Sequence, residues 1–301
     1  MTLENSFIKK FGDNLLENVR LSNYSWFNLG GNAEYFYKAK DKNQLIEFLK
    51  EAKNKNLKTT IIGAGSNILF RDKGVEGAVI KLGKYFSFIK LVNKNILEVG
   101  AATLDRKVAN FAKDNNLSNL EFLSCIPGSI GGAITMNSGC YNSDISQVLL
   151  SIKAIHKKEL SEIEIKKEDI KFLYRGNNLS DDLIFISAKL KGSINKKDTI
   201  EKKQSDLIRR KKLSQPSQIK TCGSTFKNLS KDKKAWMLIK EAGCDNLKEG
   251  DAMISKKHCN FFVNNGNAKS LDIENLINKV KKKVFEKTGV NLELEIKIIG
   301  E

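Results

Sequence analysis

Apolar and polar residues alternate along this chain in patterns that mark its elements. Residues 34–39, EYFYKA, are rich in aromatics and read as a strand. In the following DKNQLIEFLKEAKNKN, Asp41 and Gln44 have capping-box spacing, and Leu45, Phe48, Leu49 and Ala52 recur at helical spacing. KTTIIGAGSN then supplies a short β-branched run ending in glycines, which completes a β-α-β unit.

Beyond it the pattern turns to strands. VEGAVIKL (75–82), FSFIKLV (86–92) and ILEVGA (96–101) are short apolar runs separated by Gly, Lys and Asn. Leu104, Val108, Phe111 and Ala112 mark a helix from about 104 to 115, and strands are expected near 148–156, 161–166 and 183–191. Residues 1–195 therefore read as one α+β domain in two lobes, about 1–82 and 83–195, and residues 196–301 as a smaller α+β domain. The second begins with a charged helix at 199–213 and a cluster of turn residues, QPSQIKTCGSTFKN. A helix at 232–243, a strand within 253–265 and a long helix from Ser270 follow. Ile273, Leu276, Ile277, Val280 and Val284 line the long helix, and Gly289 is placed to end it with φ > 0. NLELEIKIIG closes the sequence as an alternating strand, with Leu292, Leu294, Ile296 and Ile298 on one face and Glu293, Glu295 and Lys297 on the other.

Charge changes this picture little. The 301 residues carry a formal net charge of +17, which invites a nucleic-acid reading. Of the 52 basic residues, however, only six are arginines, and the lysines are spread among Glu and Asp along nearly every segment. Basic readers of nucleic acid concentrate charge on one face and interleave it with aromatics, so no nucleic-acid partner is expected. The five cysteines (125, 140, 222, 244, 259) form no C-x-x-C pair, and with two histidines no metal site is expected. The N-terminal MTLENSFIKKFGDNLL has no continuous apolar region, and no apolar run approaches the roughly 20 residues that span a bilayer. A cytoplasmic, monomeric protein without membrane contact is the expectation.

Two glycine-rich loops without charge carry the chemistry. Gly63-Ala64-Gly65-Ser66-Asn67 follows a strand but fails as a dinucleotide fingerprint, because Ile68 stands where the third glycine belongs and no amphipathic helix follows. IPGSIGGAITMNSGC (126–140) holds four glycines and one of the two prolines. Successive backbone N–H groups in such turns make concave anion sites, with Ser66 and Ser129 as added donors, so the pair suits a pyrophosphate. Close packing of backbone against backbone explains the second loop equally well.

Taken together, GAGSNIL with Arg71-Asp72, Glu121-Phe122, IPGSIGGAITMNSG, Tyr174-Arg175, QP-x5-CGSTFKN (215–228), SKKHCNFFVN and the terminal LELEIKIIGE resemble the UDP-N-acetylenolpyruvoylglucosamine reductase family in order and spacing, from about residue 18 to 301. The resemblance implies a two-lobed FAD-binding domain of the vanillyl-alcohol-oxidase (PCMH) type, followed by a smaller substrate-binding domain of the family's shorter, type II form. It implies non-covalent FAD held by Gly63, Ala64, Gly65, Ser66, Asn67, Ile126, Pro127, Gly128, Ser129, Gly131 and Gly132. It further implies NADPH as co-substrate and reduction of a UDP-sugar enolpyruvyl ether in peptidoglycan synthesis.

Three catalytic roles follow from the same resemblance. Arg175 stabilises the substrate carboxylate, for which a planar, permanently charged fork suits better than lysine. Ser224 donates a proton to the carbanionic carbon, although taken alone it reads as a turn or cap residue. Glu295 is the third member, on a strand whose polar face explains it as well. Tyr174 and Asn228 are expected at the substrate and Lys227 at its diphosphate, while His258 reads as packed and hydrogen-bonded. Departures occur at Leu229, where the family has proline, at Asn177, where it has serine, and at Ala242-Gly243-Cys244-Asp245-Asn246. Another FAD oxidoreductase of the same fold, and a basic nucleic-acid-binding module, are the competing functions.

Overall fold

The capping signal at Asp41 works as its spacing predicts: its carboxylate accepts from the Gln44 N–H at 2.9 Å and starts the helix Lys42–Asn54. That helix buries Leu45, Phe48, Leu49 and Ala52, so the period-3.6 pattern is its core face. The computed structural model describes residues 3–230 and 232–301, so the first two residues of the N-terminal stretch and Lys231 lie outside the described residues.

The chain divides into two compact units that are discontinuous in sequence. The first comprises Met1–Glu17, Tyr35–Ala64 and Gly77–Lys211, and the second comprises Asn18–Glu34, Gly65–Glu76 and Lys212–Glu301. The contiguous ranges 1–195 and 196–301 differ from this partition in two ways: residues 18–34 and 65–76 group with the second unit, and the charged helix Lys197–Ser214 groups with the first as far as Lys211.

Two sheets build the first unit. One has four strands in the order Leu15–Arg20, Asn32–Ala39, Val75–Leu82, Thr59–Ile62, and its last two are parallel with Thr59 opposite Ala78. The helix Lys42–Asn54 packs on it through an aromatic cluster, in which Tyr37 and Phe48 stack at 3.9 Å and Phe7 and Phe11 close the sides. The other sheet has five antiparallel strands in the order Glu162–Lys166, Leu149–His156, Leu183–Lys191, Ile96–Gly100, Ile89–Asn93. Its core includes Val108, Ala109 and Ala112 of the helix Asp105–Asp114.

The second unit surrounds its long helix. Ser270–Thr288 buries Ile273, Leu276, Ile277, Val280 and Val284, and Gly289 ends it at φ 70°, as the pattern predicts. Asp72 accepts from the N–H groups of Ser270 and Leu271 at 2.9 and 3.0 Å, and Arg71 pairs with Glu274 at 2.9 Å. The Arg71-Asp72 dipeptide therefore caps a helix. A three-stranded sheet, Lys248–Glu249, Ala252–Ile254 and Phe262–Asn264, packs with Phe226 in the same core.

The α+β class expected from the sequence is the class observed, with three local corrections. The terminal strand is confined to Lys297–Ile299, parallel to Ile68–Phe70, because the residues before it bond to irregular segments. The helix expected at 232–243 is the shorter Ala235–Glu241. The strand expected from 86 begins at Ile89, after a 3-10 turn at Lys84–Phe86. No described helix is long and apolar enough to cross a membrane.

Removing the Phe48 ring from this cluster leaves a cavity against Tyr37, Phe7 and Phe11. Phe48→Ala is expected to lower unfolding free energy by about 3–5 kcal/mol, measured by urea denaturation of the first unit's transition.

Candidate active site

Strand Thr59–Ile62 ends at Gly63, whose carbonyl accepts from Lys81 Nζ at 2.7 Å; burial pushes the Lys81 pKa down, and Lys38 adds to this. A methyl group at Gly63 would meet Ser129 Oγ at 2.9 Å. At Gly132 the same oxygen, 3.9 Å away, is the one atom outside its own helix backbone and chain neighbours that such a methyl would have within 4 Å among the described residues. Ser129 Oγ is itself buried and has no hydrogen-bond partner among the described residues. A buried hydroxyl left unpaired costs free energy, and here bare main chain lies on two sides of it. That is a cradle fit for a ligand oxygen, which a Cβ would spoil.

The charge-free stretch contains a short helix, Ile130–Thr135, that the sequence pattern did not reveal. It is held from outside: the Ile130 N–H donates to Thr103 O at 3.0 Å and the Gly131 N–H to Ala101 O at 2.8 Å. Gly131 and Gly139 are glycines for packing, since a Cβ would lie 3.2 Å from Ala101 O and 2.3 Å from Ser143 O respectively. Backbone packing thus accounts for these two and leaves Gly132 to the cradle. Pro127 is exposed, Ile126 packs on the core of the five-stranded sheet, and Gly128 O accepts from the Asp105 N–H at 3.1 Å. Asp105 is wholly buried, both its carboxylate oxygens lack partners among the described residues, and burial pushes its pKa well up.

Tyr174 and Arg175 form the two-residue turn of a hairpin whose arms are Phe172–Leu173 and Gly176–Asn177. Arg175 sits at φ 58°, the left-handed region, where a non-glycine residue costs about 1–2 kcal/mol. Its guanidinium lies 4.9 Å from the Tyr174 ring centroid and donates to Gly139 O at 3.0 Å. Asn177 Nδ2 donates to the carbonyls of Ile134 and Thr135 at 3.0 and 3.3 Å. The departure at Asn177 therefore ties the hairpin to the C-terminal end of the short helix.

In the second unit, Gly65 at φ 73° approaches Tyr24 so closely that a Cβ would lie 1.8 Å from its carbonyl oxygen. Ala64 and Ser66 lie on either side of Gly65 in the bend. Asn67 donates through Nδ2 to Glu295 O at 2.9 Å, and its own carbonyl accepts from the Lys297 N–H at 2.9 Å. The Glu295 N–H donates to Thr225 O at 2.8 Å, and Ser224 bridges to Phe261. Main-chain bonding thus sets Glu295 beside Thr225, the residue after Ser224, and the Asn67 side chain holds the Glu295 carbonyl. Beside them Thr225 Oγ1 is buried without a partner among the described residues.

Asn260 supports this arrangement, and sequence reasoning gave it no role. Its side chain accepts from the Phe226 N–H at 2.9 Å and donates to the Phe226 carbonyl at 2.8 Å, while its main-chain carbonyl accepts from the Thr225 N–H at 2.7 Å. The Asn260 N–H donates to His258 Nδ1 at 3.2 Å, and burial pushes the His258 pKa down, so the ring is a neutral acceptor packed against Trp236 and Phe261. The signal lay in the SKKHCNFFVN segment, where a buried asparagine between apolar residues needs both ends of its amide satisfied. Lys227 pairs with Glu293 at 3.4 Å, and Asn228 Oδ1 accepts from the Ala235 N–H at 3.1 Å at the start of a helix.

A model of the UDP-N-acetylenolpyruvoylglucosamine reductase C-terminal domain matches residues 215–299, and one of an FAD binding domain matches residues 33–159. A UDP-N-acetylenolpyruvoylglucosamine reductase of Pelagibacter ubique is 44% identical over 298 residues, covering 97% of this chain and 98% of the relative. One from Orientia tsutsugamushi (strain Ikeda) is 43% identical, covering 95% of this chain and 94% of the relative. The crystal structure of UDP-N-acetylenolpyruvylglucosamine reductase from Thermus caldophilus superimposes with a TM-score of 0.82 at 31% identity, covering 94% of this chain and 98% of that one.

Asn260→Ala strands the Phe226 N–H and carbonyl in the core. It is expected to cost about 1–3 kcal/mol in chemical denaturation, with Asn260→Asp recovering only the N–H contact and hence part of the loss.

Proposed function

The chain belongs to the UDP-N-acetylenolpyruvoylglucosamine reductase family, and from that premise we propose how its residues divide the work. It is an FAD oxidoreductase that reduces the enolpyruvyl ether of UDP-N-acetylglucosamine in peptidoglycan synthesis. The buried, unpaired Ser129 hydroxyl against Gly63 and Gly132 is the observation that supports flavin at this loop.

On this reading residues 1–195 serve the cofactor and 196–301 the substrate. Residues 63–67 and 126–129, with Gly131 and Gly132, hold FAD through main-chain N–H groups and the hydroxyls of Ser66 and Ser129. When bound, FAD supplies hydride chemistry, with NADPH as the reductant. Hydride arriving at the methylene carbon of the enolpyruvyl ether leaves negative charge on the neighbouring carbon and its carboxylate. Arg175 meets that charge with a fixed fork, and its strained turn holds the guanidinium in place.

Ser224 gives its hydroxyl proton to the carbanionic carbon. A hydroxyl is a weak acid, but the carbanion is a strong base, and fixed geometry makes the transfer feasible. Glu295, whose N–H is tied to Thr225 beside Ser224, is the third catalytic residue. Tyr174 and Asn228 contact the substrate, and Lys227 exchanges its pairing with Glu293 for the diphosphate. The enzyme acts as a cytoplasmic monomer without nucleic-acid or membrane partners.

Purified protein is expected to be yellow, and Gly63→Val to yield folded but flavin-free protein, measured by visible absorption alongside circular dichroism. Ser224→Ala is expected to leave NADPH-driven flavin reduction nearly intact while slowing reoxidation by the enolpyruvyl substrate about 10²–10⁴-fold, in stopped-flow half-reactions. Equal loss in both halves would remove Ser224 from the proton step.

A further inference from the structure

Two cysteines bracket the charge-free stretch, and their thiols meet. Cys125 closes the 3-10 turn Glu121–Cys125, and Cys140 ends the short strand Gly139–Cys140. Cys140 Sγ lies 3.5 Å from the Phe122 carbonyl of that turn, Cys125 Sγ lies 3.8 Å from Ser124 Oγ, and the two thiols are hydrogen-bonded to each other. Lys211, on the helix Lys197–Ser214, donates from Nζ to Cys125 O at 2.5 Å, which places an ammonium beside both sulfurs.

The surroundings differentiate the two thiols. The hydrogen bond from Cys140 holds the Cys125 thiol below its usual range against the opposing effect of burial, with Ser124 and Lys211 adding to the shift. The same bond and burial push Cys140 up, so the two thiols are shifted in opposite directions. A thiol that ionises more readily, within hydrogen-bond reach of one that ionises less readily, is the arrangement of an attacking and a resolving cysteine. The remaining cysteines lack it. Cys222 is buried against the Gly65 and Ile68 carbonyls and is pushed up to about 11 mainly by burial, and burial also raises Cys244 and Cys259.

We propose that Cys125 and Cys140 form a redox-active dithiol that hydrogen peroxide converts to a disulfide joining the two ends of residues 126–139. In the first step the Cys125 thiolate attacks one peroxide oxygen. The S–O bond forms, the O–O bond breaks, and hydroxide leaves and takes a proton to become water. In the second, Cys140 gives up its proton and its sulfur attacks the Cys125 sulfenic sulfur. The S–S bond forms at about 2.05 Å, the S–O bond breaks, and water leaves. Two thiols are oxidised and one peroxide is reduced to two waters. The disulfide fixes the ends of the segment that carries Ser129 and Gly132, so its consequence for the cofactor rests on the flavin reading, whereas the thiol chemistry does not.

The test treats the reduced, full-length protein with hydrogen peroxide and follows each cysteine by peptide mass spectrometry, with flavin content read separately by absorbance. A Cys125–Cys140 cross-link is expected to form before any oxidation at Cys222, Cys244 or Cys259 and to reverse with dithiothreitol. Cys140→Ser is expected to arrest Cys125 as a sulfenic acid captured by dimedone, and Cys125→Ser to leave Cys140 reduced. The proposal is overturned if wild-type Cys125 oxidises no faster than the other three, or reaches sulfinic acid while Cys140 stays a thiol. Disulfide formation in protein that never binds flavin would uphold the dithiol and remove only its link to the cofactor.

Discussion

The pairing of Glu295 with Thr225, by a main-chain hydrogen bond that the Lys227 N–H to Glu293 carbonyl bond extends, sets the register of the second unit's site. It places a residue near the end of the chain beside one some seventy positions earlier, and the neighbouring contacts follow from it. Asn67 then bonds the Glu295 carbonyl on one side, and Lys297 bonds Asn67 on the other before joining Ile68 in a parallel pair. Asn260 holds the opposite flank by satisfying both polar groups of Phe226. The Glu295 and Thr225 backbones are fixed by these partners.

The first unit solves a different problem, that of exposing main chain without collapsing onto it. Gly131 and Gly139 are consumed by close approaches to Ala101 and Ser143, which pin the segment from outside. Once it is pinned, Gly63 and Gly132 can remain bare around the Ser129 hydroxyl. The Tyr174-Arg175 turn is attached to the same segment twice, by Asn177 at the end of the short helix and by the Arg175 guanidinium at Gly139. The left-handed strain at Arg175 persists because these attachments over-determine the turn.

Elements with their own local signal were legible in the sequence. Asp41 and the four apolar positions behind it specified the helix Lys42–Asn54, and Gly289 specified where the long helix stops. The helix Ile130–Thr135 had no such signal, since Gly131 and Gly132 disfavour helix by about 1 kcal/mol each and its first N–H groups are satisfied by the distant carbonyls of Thr103 and Ala101. The alternation from 292 to 298 was read correctly as burial at Leu292 and Ile296, yet these residues pair with irregular segments instead of a strand along most of their length. Arg71-Asp72 carried part of the family resemblance, and its neighbours in space are a helix start and Glu274, which sequence order does not reveal. The glycine loop 63–67 was legible as a loop, but not as a segment that leaves one compact unit for the other between Ala64 and Gly65.

Asp105 gives the fold a proton inventory of its own. Its carboxyl is buried without a partner among the described residues and is held protonated far above the value of 3.8 that it regains in the unfolded chain. Between the unfolded value and the raised folded one, folding therefore takes up a proton at this position and unfolding releases it. The contribution of Asp105 to stability is undiminished in acid and declines as pH climbs from the unfolded value toward the raised folded one, opposite in sense to a salt-bridged carboxylate. Rising pH thus draws on the native state through a group buried away from solvent ions.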